Sequence, residues 1–398
     1  MENEGQQKMI DVANDIMEKS VFPNEKYMIP HRGLPAEILR PLQQIVKEKG
    51  LWAAHLPKEY GGMGNGFVSL GLLSEVIGQS PIGPYIFGSM APDAGNGEIL
   101  FHAATAEQKE KYLRPLANGD IRSCFGMTEP EVSGSDPRTL QGTAVKEGNE
   151  WVINTHKWFT TGAVGSSFCI VMVVTDPEAE PHRRTSLFIV ETDNPGFEII
   201  REVPVLGDHY PGGHCEVRFN ECRISQENML GKRGEGFKLA QLRLGPGRIT
   251  HAMRWLGVAR RSLNEMIHYS INKKDDEKSL ADSQTIQNFI ADSEAEIQAS
   301  RLLTLQAAWK MDQGFLARKE ISIIKFYGAQ VLNNVIDRAI QTLGTYGLTQ
   351  NTPLEGLYRE ARAARIYDGA DEVHRMVVAK QVLKEFRAKE VPHEPAAI

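Results

Sequence analysis

The sequence predicts a mainly α-helical protein with a central β domain. Three observations support this class: apolar residues at helical spacing before residue 121, short β-branched and aromatic segments within 122–232, and long helical patterns within 233–386. We therefore expect an N-terminal helical domain over 1–121, a β domain over 122–232, a helical bundle over 233–386 and a frayed tail over 387–398. A chain of 398 residues is long enough for several domains.

The first domain is expected to contain several amphipathic helices. Apolar residues repeat at helical spacing over 10–17 and 39–46, and Gly50 is placed to cap the second of these helices. The segment Thr105-Ala-Glu-Gln108 matches a capping box and predicts a helix over Lys109 to Leu116.

The middle of the chain has the pattern of short strands bounded by Gly, Pro, Asn or Asp. Because no long helices separate them, an antiparallel barrel or sandwich is expected. The segment Glu147-Gly-Asn-Glu150 is typical of a hairpin turn. The predicted strands are Trp151–Thr155, Phe168–Thr175, Ser186–Glu191, Phe197–Val203 and Cys215–Ile224.

Long helices return in the last domain. Leu280 to Asp312 and Ala317 to Leu343 carry apolar residues on more than one side. Helices of this kind pack as a bundle and often bury a face against another subunit.

Composition and missing motifs narrow the function. A net charge of −6 and a pI near 6.0 argue against nucleic acid as the main partner. Four cysteines without a C-x-x-C pair and scattered histidines predict neither a disulfide framework nor a metal site. The chain lacks a P-loop, an H-E-x-x-H and a G-x-S-x-G motif. Without a signal-peptide, transit-peptide or membrane-spanning pattern, we expect a soluble cytoplasmic protein.

Three segments are candidates for chemistry. The Gly- and Ser-rich loop Phe125 to Asp136 has backbone amides suited to a polar or anionic ligand, or it is a plain interdomain turn. Trp151 to Gly162 combines aromatics and threonines that suit a flat ring and its edge heteroatoms, or simple core packing.

The third segment runs from Arg365 to Arg375. Asp368 precedes Gly369 between two helices, where apolar neighbours would raise its pKa towards that of a working base. The alternative is that Asp368 or Asp371 caps the next helix. His214, in Pro211-Gly-Gly-His214, is interpreted as a loop or packing residue.

Together these segments resemble the acyl-CoA dehydrogenase family over residues 5–386. Four segments resemble motifs of this family. They are Thr128–Asp136 (the T-E-P…G-S-D motif), Asn154–Gly162 (the second flavin segment), Gln341–Gly347 (the Q-x-L-G-G-x-G motif) and Ile366–Gly369 (the I-Y-E-G motif). The resemblance implies a helical N-terminal domain, an antiparallel β-barrel or sandwich and a C-terminal four-helix bundle. It also implies FAD as the cofactor, an acyl-CoA substrate, a place in β-oxidation and electron-transferring flavoprotein as the acceptor.

The resemblance also implies residue roles. Asp368 would abstract the α-proton, the backbone N–H of Glu372 and the FAD ribose would hold the thioester carbonyl, and Arg248 would lie near the base. Phe159 would lie against the face of the isoalloxazine ring. The implied FAD contacts are Phe125, Met127, Thr128, Ser133, Ser135, Phe159, Thr161, Lys273, Gln341, Gly344, Thr345, Ala370 and Glu372. Since Gln341 and Gly344 would reach the FAD of a neighbouring subunit, a homodimer or homotetramer is expected.

Four departures from the family pattern accompany the resemblance. The base is Asp where most members have Glu, and the segment from Thr128 to Ser135 is one residue longer than usual. Lys273 stands where an arginine usually meets the FAD pyrophosphate, and Ala370 replaces a threonine. An Asp-Gly base motif, G-G-H and L-G-P-G-R are shared with a subgroup whose members act on 4-hydroxyacyl-CoA derivatives through phosphorylated forms.

Two other hypotheses keep the same fold. A nitroalkane oxidase would use the Asp base on a small substrate without CoA and produce peroxide. A non-enzymatic scaffold would have lost the flavin, and the altered segment at Lys273 is its only support.

Overall fold

The structure is a computed structural model, and it describes residues 2–29, 32–206, 211–275 and 277–390. The predicted fold class is confirmed, with helices, a β domain and further helices in chain order. The last eight residues of the predicted tail lie outside the described part. The chain divides into two compact units, 1–258 and 259–398, and each is described separately below. The predicted domain boundaries stay predictions.

The first unit begins with short helices that precede the sheet in the chain. Gly50 has φ +70° immediately after the capping residue Lys49, which is where a left-handed glycine ends a helix. The capping box between Thr105 and Gln108 is present, and the predicted helix over 109–116 consists of a π-helical turn followed by an α-helix. The helices are α1 (Glu4–Ile16), α2 (Ala36–Glu48), α3 (Gly66–Ile77), α4 (Gly83–Ile86), α5 (Asp93–Ala103), α6 (Ala106–Gln108) and α7 (Arg114–Asn118).

The β domain is one eight-stranded sheet with strand order β6-β7-β3-β2-β4-β5-β8 and with β1 paired to β4. The strands are β1 (Ser123–Gly126), β2 (Thr143–Glu147), β3 (Glu150–Thr161), β4 (Phe168–Val174), β5 (Thr185–Glu191), β6 (Phe197–Glu202), β7 (His214–Ser225) and β8 (Met229–Leu230). Most pairings are antiparallel as predicted, but β1 and β2 each pair with β4 in parallel. The sheet is therefore mixed.

The hairpin predicted at 147–150 joins β2 to β3. Glu147 and Glu150 are paired, and Gly148 has φ +62° at the first loop position, where a type II′ turn requires glycine. Alternate residues of the strands form the core of the β domain, which includes Trp151, Val171 and Phe219.

Helix α5 is fastened to the first strand by polar contacts. The carboxylate of Asp93 accepts hydrogen bonds from the backbone and side chain of Ser123, both at 2.7 Å. The amide of Asn96 donates to the Ser123 hydroxyl and to the Cys124 carbonyl. These contacts fix the start of the segment that leads to Phe125.

The boundary between the two units falls within α8 (Gly236–Asn272), a helix that continues through Pro246. In the second unit, the segment around Lys273 forms a short ribbon of β9 (Lys274–Asp275) and β10 (Lys278–Ser279), and the predicted helix from Leu280 starts as a 3-10 turn. The further helices are α9 (Gln284–Asp312), α10 (Arg318–Leu343), α11 (Leu354–Ala363) and α12 (Asp371–Glu390).

Candidate active site

The first two candidate segments lie side by side in the first unit. The Thr128 hydroxyl donates to the Trp158 carbonyl at 2.8 Å, and the Trp158 N–H donates to the Thr128 carbonyl at 3.1 Å. The loop after β1 therefore runs along the end of β3, and the predicted flavin residues on both segments are brought close together.

A buried ion pair joins these two segments. The Lys157 ammonium donates to the Glu129 carboxylate at 2.7 Å and to the Met127 carbonyl at 3.0 Å, and the two side chains are 0% and 3% exposed. The carboxylate also accepts from the backbone of Gln141 and Gly142. Burial raises the pKa of Glu129, but the Lys157 charge and these hydrogen bonds outweigh burial and leave the pKa below its usual value.

Gly142 is required at this junction. A Cβ there would lie 1.9 Å from the Thr155 hydroxyl, so the loop approaches β3 more closely than any other residue allows. Glu129, Lys157 and Gly142 were not predicted as site residues, because the contacts between them join positions far apart in the sequence.

Phe159 is presented to the surface by an irregularity in β3. The pairing with β7 slips between Lys157 and Thr160, and Phe159 has φ +50° with 45% of its surface exposed. A left-handed backbone is strained for a residue of this size, and such strain concentrates at functional sites. The ring lies 5.0 Å from that of Trp158 at a steep angle.

The local chemistry fits a flat, hydrogen-bonding ring system. The Thr160 hydroxyl is buried, and within the described part of the chain no group bonds to it. A buried hydroxyl without a partner is costly, so this hydroxyl, next in the chain to the exposed Phe159, fits a ligand with polar edge atoms. Trp158 and Thr160 belong to the predicted ring-binding segment, but only Phe159 and Thr161 of that segment were predicted to contact FAD.

His214, predicted as a loop or packing residue, lies beside the residues of the second flavin segment. Its Nδ1 lies 2.8 Å from the Thr161 hydroxyl, and its ring centroid lies 6.2 Å from that of Phe159. The Gly162 N–H donates to the Gly213 carbonyl at 2.8 Å. The G-G-H motif is therefore packed against the second flavin segment.

Ser133 and Ser135 lie in an exposed turn of the same loop. Asp136 organises this turn by accepting from the backbone and guanidinium of Arg138. The two serines are the outermost of the predicted residues in the first unit.

Phe125 is buried beside a cluster of ionisable side chains that the sequence did not indicate. The Arg243 guanidinium lies 4.4 Å from the centre of the Phe125 ring, and a Cβ on Gly95 would lie 2.5 Å from the Arg243 Nε. Burial raises the pKa of Glu98 to about 8, although the charge of Arg243 opposes the shift. Glu98 is therefore protonated at neutral pH.

The raised pKa of Glu98 makes a pH-dependent prediction. An unfolded chain releases this proton near pH 4.5, whereas the folded chain keeps it to about pH 8. The folded state binds more protons between these values, so stability falls as pH rises, by at most about 1.4 kcal/mol per pH unit. We expect the melting temperature of the wild type relative to Glu98→Gln to fall between pH 5 and pH 8. Equal pH slopes would contradict this, and Glu178→Gln at an exposed position is the control.

In the second unit, Asp368 lies on the turn between α11 and α12. Its φ is +53° and that of Gly369 is +98°. The carbonyl of Asp368 accepts a hydrogen bond from His374 Nε2 at 3.1 Å. Asp368 is therefore the second predicted site residue, after Phe159, that has a left-handed backbone.

Of the two aspartates considered as caps of the next helix, Asp371 lies at the start of that helix. α12 begins at Asp371, whose carboxylate accepts from Arg365 Nε at 3.1 Å and lies 3.7 Å from the Lys325 ammonium. Ala370 immediately precedes this helix, and Glu372 belongs to its first turn. First-turn N–H groups have no partner within the helix and form a site of partial positive charge.

The remaining predicted residues of the second unit lie at helix ends. Gln341 is in the last turn of α10, and Gly344 (φ +60°) and Thr345 follow it, all three exposed. Lys273 follows α8, where the Tyr269 ring stacks on Tyr346 with centroids 5.9 Å apart.

Arg248 lies in α8 within the first unit and is half-buried.

No helix in the described ranges is long and apolar enough to cross a membrane. Nor does the described part of the chain bring three His, Cys, Asp or Glu side chains together as a metal would require.

This architecture and the paired flavin segments define a flavoprotein oxidoreductase of helical–β–helical fold. Family models for the N-terminal, middle and C-terminal domains of acyl-CoA dehydrogenase match residues 3–120, 124–222 and 234–383. The chain belongs to the acyl-CoA dehydrogenase family, whose members are oxidoreductases with FAD as their cofactor.

Individual relatives agree with this assignment. The chain is 41% identical to "Probable acyl-CoA dehydrogenase FadE2" of Mycobacterium tuberculosis, over 93% of both chains. It is 40% identical to acyl-CoA dehydrogenase family member 10 of Mus musculus over 98% of its own length, but it spans only 38% of that protein. It spans 50% of the family member 11 proteins. Butyryl-CoA dehydrogenase from Megasphaera elsdenii has a structure similar to this chain, with a TM-score of 0.84, 29% identity and coverage of 96% and 99%.

Proposed function

We propose that the chain catalyses FAD-dependent α,β-dehydrogenation of an acyl-CoA thioester, with Asp368 as the base. The observation that carries this proposal is the turn before α12. There a carboxylate on strained left-handed backbone is followed, four residues later, by a first-turn backbone donor at Glu372.

The chemistry divides between these two groups. Asp368 takes the weakly acidic α-proton as a general base. The N–H of Glu372 donates to the thioester oxygen, where negative charge grows as that proton leaves. Arg248 is assigned a place near the base, where its positive charge favours the ionised carboxylate of Asp368.

FAD, when bound, accepts the β-hydrogen and its electron pair at flavin N5. In the first unit, Phe125, Met127, Thr128, Phe159 and Thr161 are assigned to the isoalloxazine, and Ser133 and Ser135 to a phosphate or the substrate. In the second unit, Lys273 is assigned to the pyrophosphate and Ala370 and Glu372 to the flavin. Gln341 and Gly344 are assigned to the adenosine side of a neighbouring subunit's FAD, and Thr345 is assigned to FAD without a stated part.

We further propose a homo-oligomer, a dimer or tetramer. Large apolar side chains are exposed on the second unit, which supports burial against another copy. They include Leu302, Trp309, Phe315, Leu316, Leu348, Val382, Leu383 and Phe386. Sedimentation of the holoprotein is expected to give two or four times the chain mass of 44.3 kDa, and a monomer at micromolar concentration would contradict the proposal.

Electron-transferring flavoprotein is proposed as the acceptor, a cytoplasmic location as the compartment and β-oxidation as the process. Four free cysteines, all buried, agree with a reducing compartment. Acyl-CoAs with a 4-substituted chain are among the candidate substrates, because this sequence has the Asp-Gly, G-G-H and L-G-P-G-R motifs.

Product analysis tests the reaction class. The holoprotein is incubated with a dye acceptor and acyl-CoAs that differ in chain length and 4-substitution, and the products are weighed by mass spectrometry. We expect a 2,3-enoyl-CoA, lighter than its substrate by two hydrogen atoms. Peroxide formation from a nitroalkane, with no enoyl product across the panel, would instead favour a nitroalkane oxidase.

A further inference from the structure

The turn that carries Asp368 is attached to its surroundings at both ends. At its start, the Lys325 ammonium donates to the Ala364 carbonyl at 2.8 Å. At its end, the Asp371 N–H donates to the Arg365 carbonyl at 3.1 Å, and the Arg365 Nε donates back to the Asp371 carboxylate at 3.1 Å. Residues 365 and 371 are therefore joined through both backbone and side chain.

Two charged groups of this attachment, Lys325 and Asp371, are buried. Lys325 is 0% exposed and Asp371 1% exposed, and their charged atoms are 3.7 Å apart. Arg375 Nη1 lies 3.9 Å from the same carboxylate. A buried carboxylate requires charged or hydrogen-bonding partners, and three cations from three chain segments meet this one. The arrangement leaves the ends of the turn little freedom.

A third contact acts on the base itself. His374 is 3% exposed, and its Nε2 donates to the carbonyl of Asp368. A Cβ on Gly369 would lie 2.8 Å from this nitrogen, and Gly369 has φ +98°, so only glycine allows the imidazole to approach so closely. The imidazole thus fixes the peptide that follows Asp368.

These contacts stabilise the strained backbone conformation of Asp368. A left-handed backbone at a non-glycine residue persists only where the surroundings determine it. The Asp368 carboxylate is one methylene shorter than a glutamate, so its position depends more on the backbone than on side-chain rotation. Small displacements of a catalytic group are costly, since a shift of 1 Å can lower a rate about 100-fold.

We propose that His374 and Asp371 are positioning residues that hold the turn of Asp368 in its strained conformation and so place the base for α-proton abstraction. This inference rests on the proposed function. Neither residue is assigned a contact with the substrate or the flavin.

The test compares two variants of one residue. His374→Gln keeps an N–H donor that can reach the Asp368 carbonyl, whereas His374→Leu keeps the bulk and removes the donor. We expect His374→Leu to lower kcat about 10- to 100-fold with KM changed less than about twofold. His374→Gln should restore most of the rate. Asp371→Asn, in which the charge is lost and the size kept, should resemble His374→Leu.

A second measurement does not depend on catalysis. Hydrogen–deuterium exchange of the Asp371 amide, which donates to Arg365, is expected to be about tenfold faster in His374→Leu than in the wild type or His374→Gln. Flavin absorbance and circular dichroism identify any variant that has failed to fold. If His374→Leu fails to fold, the comparison of His374→Gln with the wild type is used in its place.

The outcomes separate the two proposals. Exchange and kcat unchanged in folded His374→Leu would overturn the positioning role while leaving the proposed function intact. Equal loss of kcat in the leucine and glutamine variants would also overturn it. If no acyl-CoA reacts with the wild type, the proposed function fails, and the exchange measurement still tests whether His374 holds the turn.

Discussion

Replacing Asp368 by asparagine is expected to lower the rate of flavin bleaching by an acyl-CoA about 10²- to 10⁴-fold while FAD stays bound. The variant keeps the size of the side chain but cannot accept the α-proton, and general-base catalysis contributes rates of this order. Asp368→Ala should abolish desaturation and leave the protein yellow. The measurement is the loss of flavin absorbance after anaerobic rapid mixing.

The matched control is Asp337→Asn, the same chemical change at an exposed position of α10. It should bleach at the wild-type rate. Asp368→Glu tests how far the base must reach, because its side chain is longer by about one methylene. Full activity in Asp368→Ala would remove Asp368 from the mechanism.

Breaking the Lys157–Glu129 pair is expected to cost about 3–5 kcal/mol of stability, because the partner left behind is a buried and unpaired charge. Lys157→Met is the sharpest variant, since it keeps the length of the side chain. The segments bearing Thr128 and Trp158 should loosen together, so FAD should dissociate at a lower denaturant concentration than from the wild type. Unfolding by urea, followed by flavin fluorescence and circular dichroism, measures both effects.

The chain offers a matched ion pair on the same sheet. Arg223 lies 2.9 Å from Glu147, but the two side chains are 48% and 53% exposed. Arg223→Gln should therefore cost less than about 1 kcal/mol. The double replacement Lys157→Met with Glu129→Gln should recover part of the stability, because the amide oxygen can still accept from the backbone of Gln141 and Gly142. Equal costs for Lys157→Met and Arg223→Gln would mean that burial is not what makes the pair important.

Local patterns predicted much of the fold. The strand over 168–174 is bounded by turn residues, and its observed end lies one residue from the predicted one. The capping box at Thr105 was also predicted correctly, because it is a contact between residues three apart. The parallel pairing of β1 with β4 was not predicted, because it joins Ser123 to Phe168 across 45 residues and has no local signal.

The candidate site was predicted less completely. Motif order selected Asp368 and Phe159, but their left-handed backbones depend on tertiary contacts such as that of His374 with the Asp368 carbonyl. His214 was predicted as a loop or packing residue, but nothing local shows that the residue it meets is Thr161. Glu129 and Lys157 are 28 residues apart, and only the fold shows that their charges share one buried place.

Anaerobic titration of the purified yellow protein with acyl-CoAs of different length and 4-substitution tests the central claim most directly. The account predicts that at least one of them bleaches the flavin of the wild type, and that the same compound leaves the flavin of Asp368→Ala oxidised. Flavin that stays bound and oxidised in the wild type across the whole panel would contradict it.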